Sequence, residues 1–190
     1  QESRGLGDVY KRQVSVVPFT YLAAKYGGDV AMVWIDAHPD ITLPGDPYPG
    51  YHAMAVTACM GHGDAKIVAE LPAAFDPSKI LFVGLRNWER GEIKARQHQY
   101  GIKHLTPEEV AADSDALRAW LKSCGASKVV VHFDMDVLDP AEIVAAVGTD
   151  PDGMKIEAVI RVINDIAAEK ELVGLTVAEP MPLSLIHISE

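Results

Sequence analysis

Cysteine is scarce in this chain of 190 residues: Cys59 and Cys124 are the only two, far apart and in no CxxC or Cys/His cluster. A disulfide framework is therefore not what organises the fold, and a reducing, cytoplasmic setting is the expectation. Long hydrophobic runs are missing as well. No stretch approaches the roughly 18 to 20 apolar residues that a membrane-spanning helix needs, and no signal-peptide-like apolar core precedes Val14. Basic residues are in deficit, with 17 Lys and Arg against 27 Asp and Glu and a net charge of −10. That balance argues against nucleic acid and against an anionic membrane as partners, and it suits a small cationic substrate. What remains, 48% hydrophobic and 23% charged, is the composition of a globular domain able to bury a core.

The two ends read differently from the rest. "QESRGLGDVYKRQ" (1–13) and "LSLIHISE" (183–190) carry neither a helical nor a strand period. Both are similar to translated sequencing-adapter read-through; the alternative is a disordered leading tail and a short closing strand. We therefore expect non-native tails at 1–13 and 183–190, flanking part of a longer catalytic domain at 14–182.

Between those ends, apolar strand-like runs alternate with segments of helical composition. Residues 30–35, 79–86, 102–106, 128–137 and 172–179 read as strands, and 18–26, 52–60, 88–101, 107–123 (broken at 113–114) and 155–169 as helices. Near-continuous apolar strands separated by helices predict βαβ units and a mainly parallel sheet covered on both faces. In such sheets ligands bind beyond the carboxyl ends of the strands. Polar residues cluster at those ends: after Ile35, at Arg86, after Phe133 and at Glu179.

Two of those ends carry chemistry. "WIDAHPD" (34–40) places Asp36, His38 and Asp40 at alternating positions, which share one face in an extended chain. "HFDMDVLDP" (132–140) does the same with Asp134 and Asp136. Four carboxylates and an imidazole, with no thiolate, favour Mn²⁺, Mg²⁺ or Fe²⁺ over a structural zinc. The charge exceeds what one divalent ion balances, which points to two ions about 3.5 to 4 Å apart. Other polar residues have blander readings. His132 is either a partner of the carboxylates or a core histidine, Trp34 is core packing, and Arg86 either faces the substrate or pairs structurally.

The two aspartate motifs resemble the signatures of the ureohydrolases, the arginase and agmatinase family of dinuclear manganese enzymes. "VGLRNWERGE" (83–92) and "GLTVAEPMP" (174–182) are similar to that family's Arg-bearing strand segment and to its late, Glu-bearing strand. The resemblance implies an arginase-like three-layer α/β/α fold, truncated at both ends, and hydrolysis of a C–N bond in a guanidino or formimino compound. It implies two Mn²⁺ ions bridged by Asp36 and Asp134, with His38 and Asp136 completing one and Asp40 the other. Glu179 would bind the substrate's cationic end, and His52, in "GYHAMAV", would assist proton transfer. A homo-oligomer, trimer or hexamer, is implied when the protein is full length. The sequence also departs from the family. Where an upstream His ligand is expected it reads "VYKRQ" (9–13), so one ion would lack a ligand. The loops "ITLPGDPYPGYH" (41–52) and "AAVGTDPDG" (145–153) differ from those that grip arginine. The alternatives are a non-catalytic metal-binding homologue and a related metal-dependent deacetylase.

Overall fold

A computed structural model describes residues 12–48, 50–146 and 148–180; most of both expected tails lies outside them. Five strands form one all-parallel sheet: β1 (Val30–Ile35), β2 (Ile80–Val83), β3 (Lys103–Leu105), β4 (Lys128–Asp134) and β5 (Glu171–Ala178). Their spatial order is β3-β2-β1-β4-β5. The chain thus builds outward from β1 to β3, then returns to the other side of β1 for β4 and β5. The order reverses between β1 and β4, and the crevice beyond their carboxyl ends is where open α/β sheets bind ligands.

Strand β1, VAMVWI, is buried along its whole length because both of its faces are covered. Ala31, Val33 and Ile35 face one core with Leu117, Leu121, Val162 and Ile166, which come from α5 (Asp115–Ser123) and α6 (Ile156–Glu169). Val30, Met32 and Trp34 face the other, against Phe19 of α1 (Val16–Lys25), Val56 and Cys59 of α2 (Ala55–Cys59) and Ile93 of α4 (Gly91–Tyr100). The architecture is the expected α/β/α sandwich.

Local differences have physical reasons. The 107–123 segment is helical only from Asp115, with turns before it. The 52–60 segment splits into a 3₁₀ turn (Tyr51–Met54) followed by α2. A short helix α3 (Ala65–Val68), capped by the Asp64 side chain, was not anticipated. The 128–137 run leaves the sheet at Asp134, whose Oδ1 accepts the Asp136 N–H at 2.9 Å and starts a 3₁₀ turn over Met135–Val137.

Candidate metal centre

Both aspartate motifs stand at the switch point, because β1 and β4 pair in register with Trp34 beside His132 and Ile35 beside Phe133. The convergence of Asp36, His38 and Asp40 does not come from strand alternation, since β1 ends at Ile35 and residues 36–38 bend. The His38 N–H donates to Asp36 Oδ1 at 2.7 Å, and Asp40 takes a left-handed φ of 50°. The turn, rather than a pleat, brings the three side chains together.

All five residues surround one cation, the guanidinium of Arg12. Its Nε donates to Asp134 Oδ2 at 2.8 Å and lies 3.2 Å from Asp36 Oδ2. Nη1 donates to Asp40 Oδ1 at 2.8 Å. Nη2 donates to Asp136 Oδ2 and lies 3.0 Å from His38 Nδ1. Arg12 opens a 3₁₀ turn (Arg12–Ser15) and is buried, at 7% exposure. Ser15 anchors that turn, its hydroxyl lying 2.8 Å from His132 Nδ1 and 2.6 Å from Thr176 Oγ1 of β5.

The donor atoms form two groups that share Asp36: Asp36, His38 and Asp136, and Asp36, His132 and Asp134. Within each group the ligand atoms lie within 4.8 Å of one another. Two buried atoms, Asp40 Oδ2 and His132 Nε2, have no hydrogen-bond partner. The donor set therefore fits divalent ions, and it keeps lone pairs that Arg12 leaves unmet.

Burial and crowding set the electrostatics. Burial raises the Asp36 carboxyl well above the usual range against the pull of Arg12. Burial likewise pushes Asp40 up to about 6 and Asp134 up to about 7. Asp136 moves the other way: burial opposes ionisation, but the His38 bond and the Arg12 charge hold it below the ordinary range. His38 is pushed up to about 11, since its bonds to Asp136 and Asp36 outweigh burial. His132 is shifted down by burial and by Arg12, which keeps a neutral imidazole beside the carboxylates.

The remaining expected residues lie around this centre. His52 is half-buried in its 3₁₀ turn with Nε2 3.0 Å from the Tyr48 hydroxyl, and it lines a cleft with Arg12, His38 and Asp40. Glu179 follows β5 directly, half-buried and at φ 58°. Among the described residues, no hydrogen bond or ion pair joins Glu179 to the cluster.

Other residues have roles the sequence left open or did not disclose. Arg12 falls in the segment read as a tail. His132 sides with the carboxylates and stacks on Trp34, with ring centroids 3.6 Å apart. Trp34 is core, as read, but its indole N–H also donates to Asp36 Oδ2 at 3.2 Å. Asp150 reaches His38 Nε2 at 3.2 Å. Arg86 is structural through carbonyls: its guanidinium donates to the C=O groups of Gly84, Asp136, Val137, Asp150 and Pro151.

The sequence matches the model of the Arginase family over residues 13–187. It is 29% identical to an arginase of Entamoeba histolytica over 165 residues, 84% of this chain and 55% of that protein. It is 30% identical to the N(omega)-hydroxy-L-arginine amidinohydrolase of Streptomyces lavendulae over 164 residues, 83% of this chain and 54% of that protein. The chain thus spans little more than half the length of these relatives. Among solved structures, the E. histolytica arginase in complex with L-ornithine superposes with a TM-score of 0.82 at 22% identity, covering 91% of this chain and 61% of the other. Formimidoylglutamase from Bacillus subtilis gives 0.72 at 17% identity, covering 91% and 52%. No helix among the described residues is long and apolar enough to cross a membrane.

Proposed function

The chain belongs to the arginase family, and on that premise we propose that it carries the metal-holding part of a divalent-metal hydrolase acting on small guanidino or formimino compounds. The observation that supports this best is the meeting of five ligand-type side chains from two strand ends around one buried cation. The names of two relatives, arginase and N(omega)-hydroxy-L-arginine amidinohydrolase, put the amidino group in the substrate class.

In this reading the metal is Mn²⁺, as two ions, which suits an oxygen-rich set without thiolate. Bound there, divalent ions supply a water acidified towards neutrality and stabilise charge on the attacked group. The chain's own residues divide the remaining work. Asp36, common to both donor groups, and Asp134 would be shared between the ions, His38 and Asp136 would hold one, and Asp40 would hold the other. Glu179 pairs with the substrate's cationic end through charge-assisted bonds. His52, steadied by Tyr48, returns a proton to the leaving nitrogen. Trp34 orients Asp36 through its indole N–H, and Ser15 holds His132 beside the carboxylates.

The test has two readouts, Mn²⁺ uptake by the purified chain and release of urea or formamide from a panel of guanidino and formimino compounds. Product that disappears in Asp136→Asn supports the hydrolase. Metal uptake without product from any member overturns it and leaves the non-catalytic metal-binding homologue. Arg12 in the ligand cluster favours that second reading for the chain as it stands.

A further inference from the structure

A buried cluster of four carboxylates must be balanced by cations, and the structure shows the balance partly met from within the chain. Arg12 presents its Nε, Nη1 and Nη2 edges to Asp134, Asp40 and Asp136, and Nε also lies by Asp36. A guanidinium is planar, stays protonated, and offers five donors in a fixed fork. It engages carboxylate lone pairs that a divalent ion would need, from Asp36 and Asp136 in one donor group and from Asp36 and Asp134 in the other. The turn that holds it is fixed by Ser15 on His132 and Thr176, so the cation is tethered at high effective concentration. It is an incomplete substitute. Asp40 Oδ2 and His132 Nε2 stay buried without a hydrogen-bond partner.

We propose that Arg12 is a tethered counter-cation that competes with divalent metal for this cluster, so that Mn²⁺ enters only when the guanidinium swings out. The cleft lined by Arg12, His38, Asp40, His52 and Glu89 is its way to solvent. Apparent metal affinity is then the intrinsic affinity multiplied by the fraction of time the guanidinium is out. The proposal rests on the reading of the cluster as a metal centre, and the experiment separates the two.

Mn²⁺ binding by the full 190-residue chain is measured by the electron paramagnetic resonance signal of free Mn²⁺, with thermal unfolding in parallel. Arg12→Met keeps the apolar stem and removes the charge; Arg12→Lys keeps the charge but not the fork. The expected result is at least 10-fold tighter Mn²⁺ binding in Arg12→Met, an intermediate gain in Arg12→Lys, and loss of the gain when Asp136→Asn is added to Arg12→Met. Mn²⁺ should then raise the melting temperature of Arg12→Met far more than that of the parent. If Arg12→Met unfolds without metal, refolding by Mn²⁺ supports the proposal, and a chain that stays unfolded at millimolar Mn²⁺ overturns it. Equal affinity of parent and Arg12→Met overturns the competition while leaving the metal centre standing. Absence of binding in every variant overturns both.

Discussion

Replacing Arg86 by Met tests whether one guanidinium ties the ends of β2 and β4 to the loop that faces the cluster. Its Nε donates to Pro151 O at 3.0 Å, Nη1 to Gly84 O and Val137 O at 3.3 and 3.2 Å, and Nη2 to Asp136 O and Asp150 O at 3.1 and 2.9 Å. Five bonds of ordinary net worth would sum to more than they deliver, since two are long and the side chain is partly exposed; we take about 2 to 4 kcal/mol in all. For a chain of this size that lowers the melting temperature by roughly 5 to 15 °C. Arg86→Lys should recover less than half, because an ammonium cannot span five carbonyls. Urea unfolding should show a lower midpoint at an unchanged slope. Amide exchange should quicken at Met154 and Asp139, whose N–H groups bond to Val137 O and Met154 O across the same loop. A loss below about 0.5 kcal/mol, or unaltered exchange at those two amides, would refute the clamp.

Three further outcomes are expected. Gly84→Ala should cost about 2 to 5 kcal/mol in urea unfolding, combining a left-handed backbone with overpacking; Gly84 has φ +83°, and an added Cβ would lie 2.3 Å from Val137 Cγ2. The Cys59 thiol, pushed up to about 12 by burial, should resist thiol reagents in the folded chain at pH 8. Its proton is bound more tightly folded than unfolded, so the stability of the parent relative to Cys59→Ala should fall by about 1.4 kcal/mol per pH unit above its ordinary value near 9. Asp46→Ala removes the fork on Arg96, with contacts of 2.6 and 3.0 Å, and the bond from the Leu43 N–H; it should cost about 1 kcal/mol and speed exchange at Leu43.

Much of the fold was legible because burial on both sides of a parallel sheet leaves a direct signature. The VAMVWI and KVVVHFD runs cannot alternate polar and apolar residues when helices cover both faces, and both became strands. Their acidic endings were legible for the same reason: a carboxylate after six buried residues has to be used for something. Turn geometry was not legible. Whether Asp36, His38 and Asp40 meet by strand alternation or through a bend depends on local bonds such as His38 N–H to Asp36, and alternation alone does not distinguish them. The partners of Arg86 were not legible for a related reason, since they are backbone carbonyls rather than an acidic side chain and no residue type announces them.

Arg12 was hidden for a deeper reason. Its bond to Asp134 spans 122 residues of sequence, and no periodicity reports an ion pair across that distance. A charge argument reports it, without naming the cation. Asp36, Asp40, Asp134 and Asp136 are each at most 3% exposed, and such a set needs positive charge from an ion or from the chain. An imidazole ligand at the upstream turn, as the family resemblance implies, adds a lone pair and leaves the charge to a diffusible ion. A guanidinium at Arg12 brings the charge itself and takes up the lone pairs. The residue standing where "VYKRQ" stands therefore decides whether the balancing charge at the switch point is exchangeable or covalently attached.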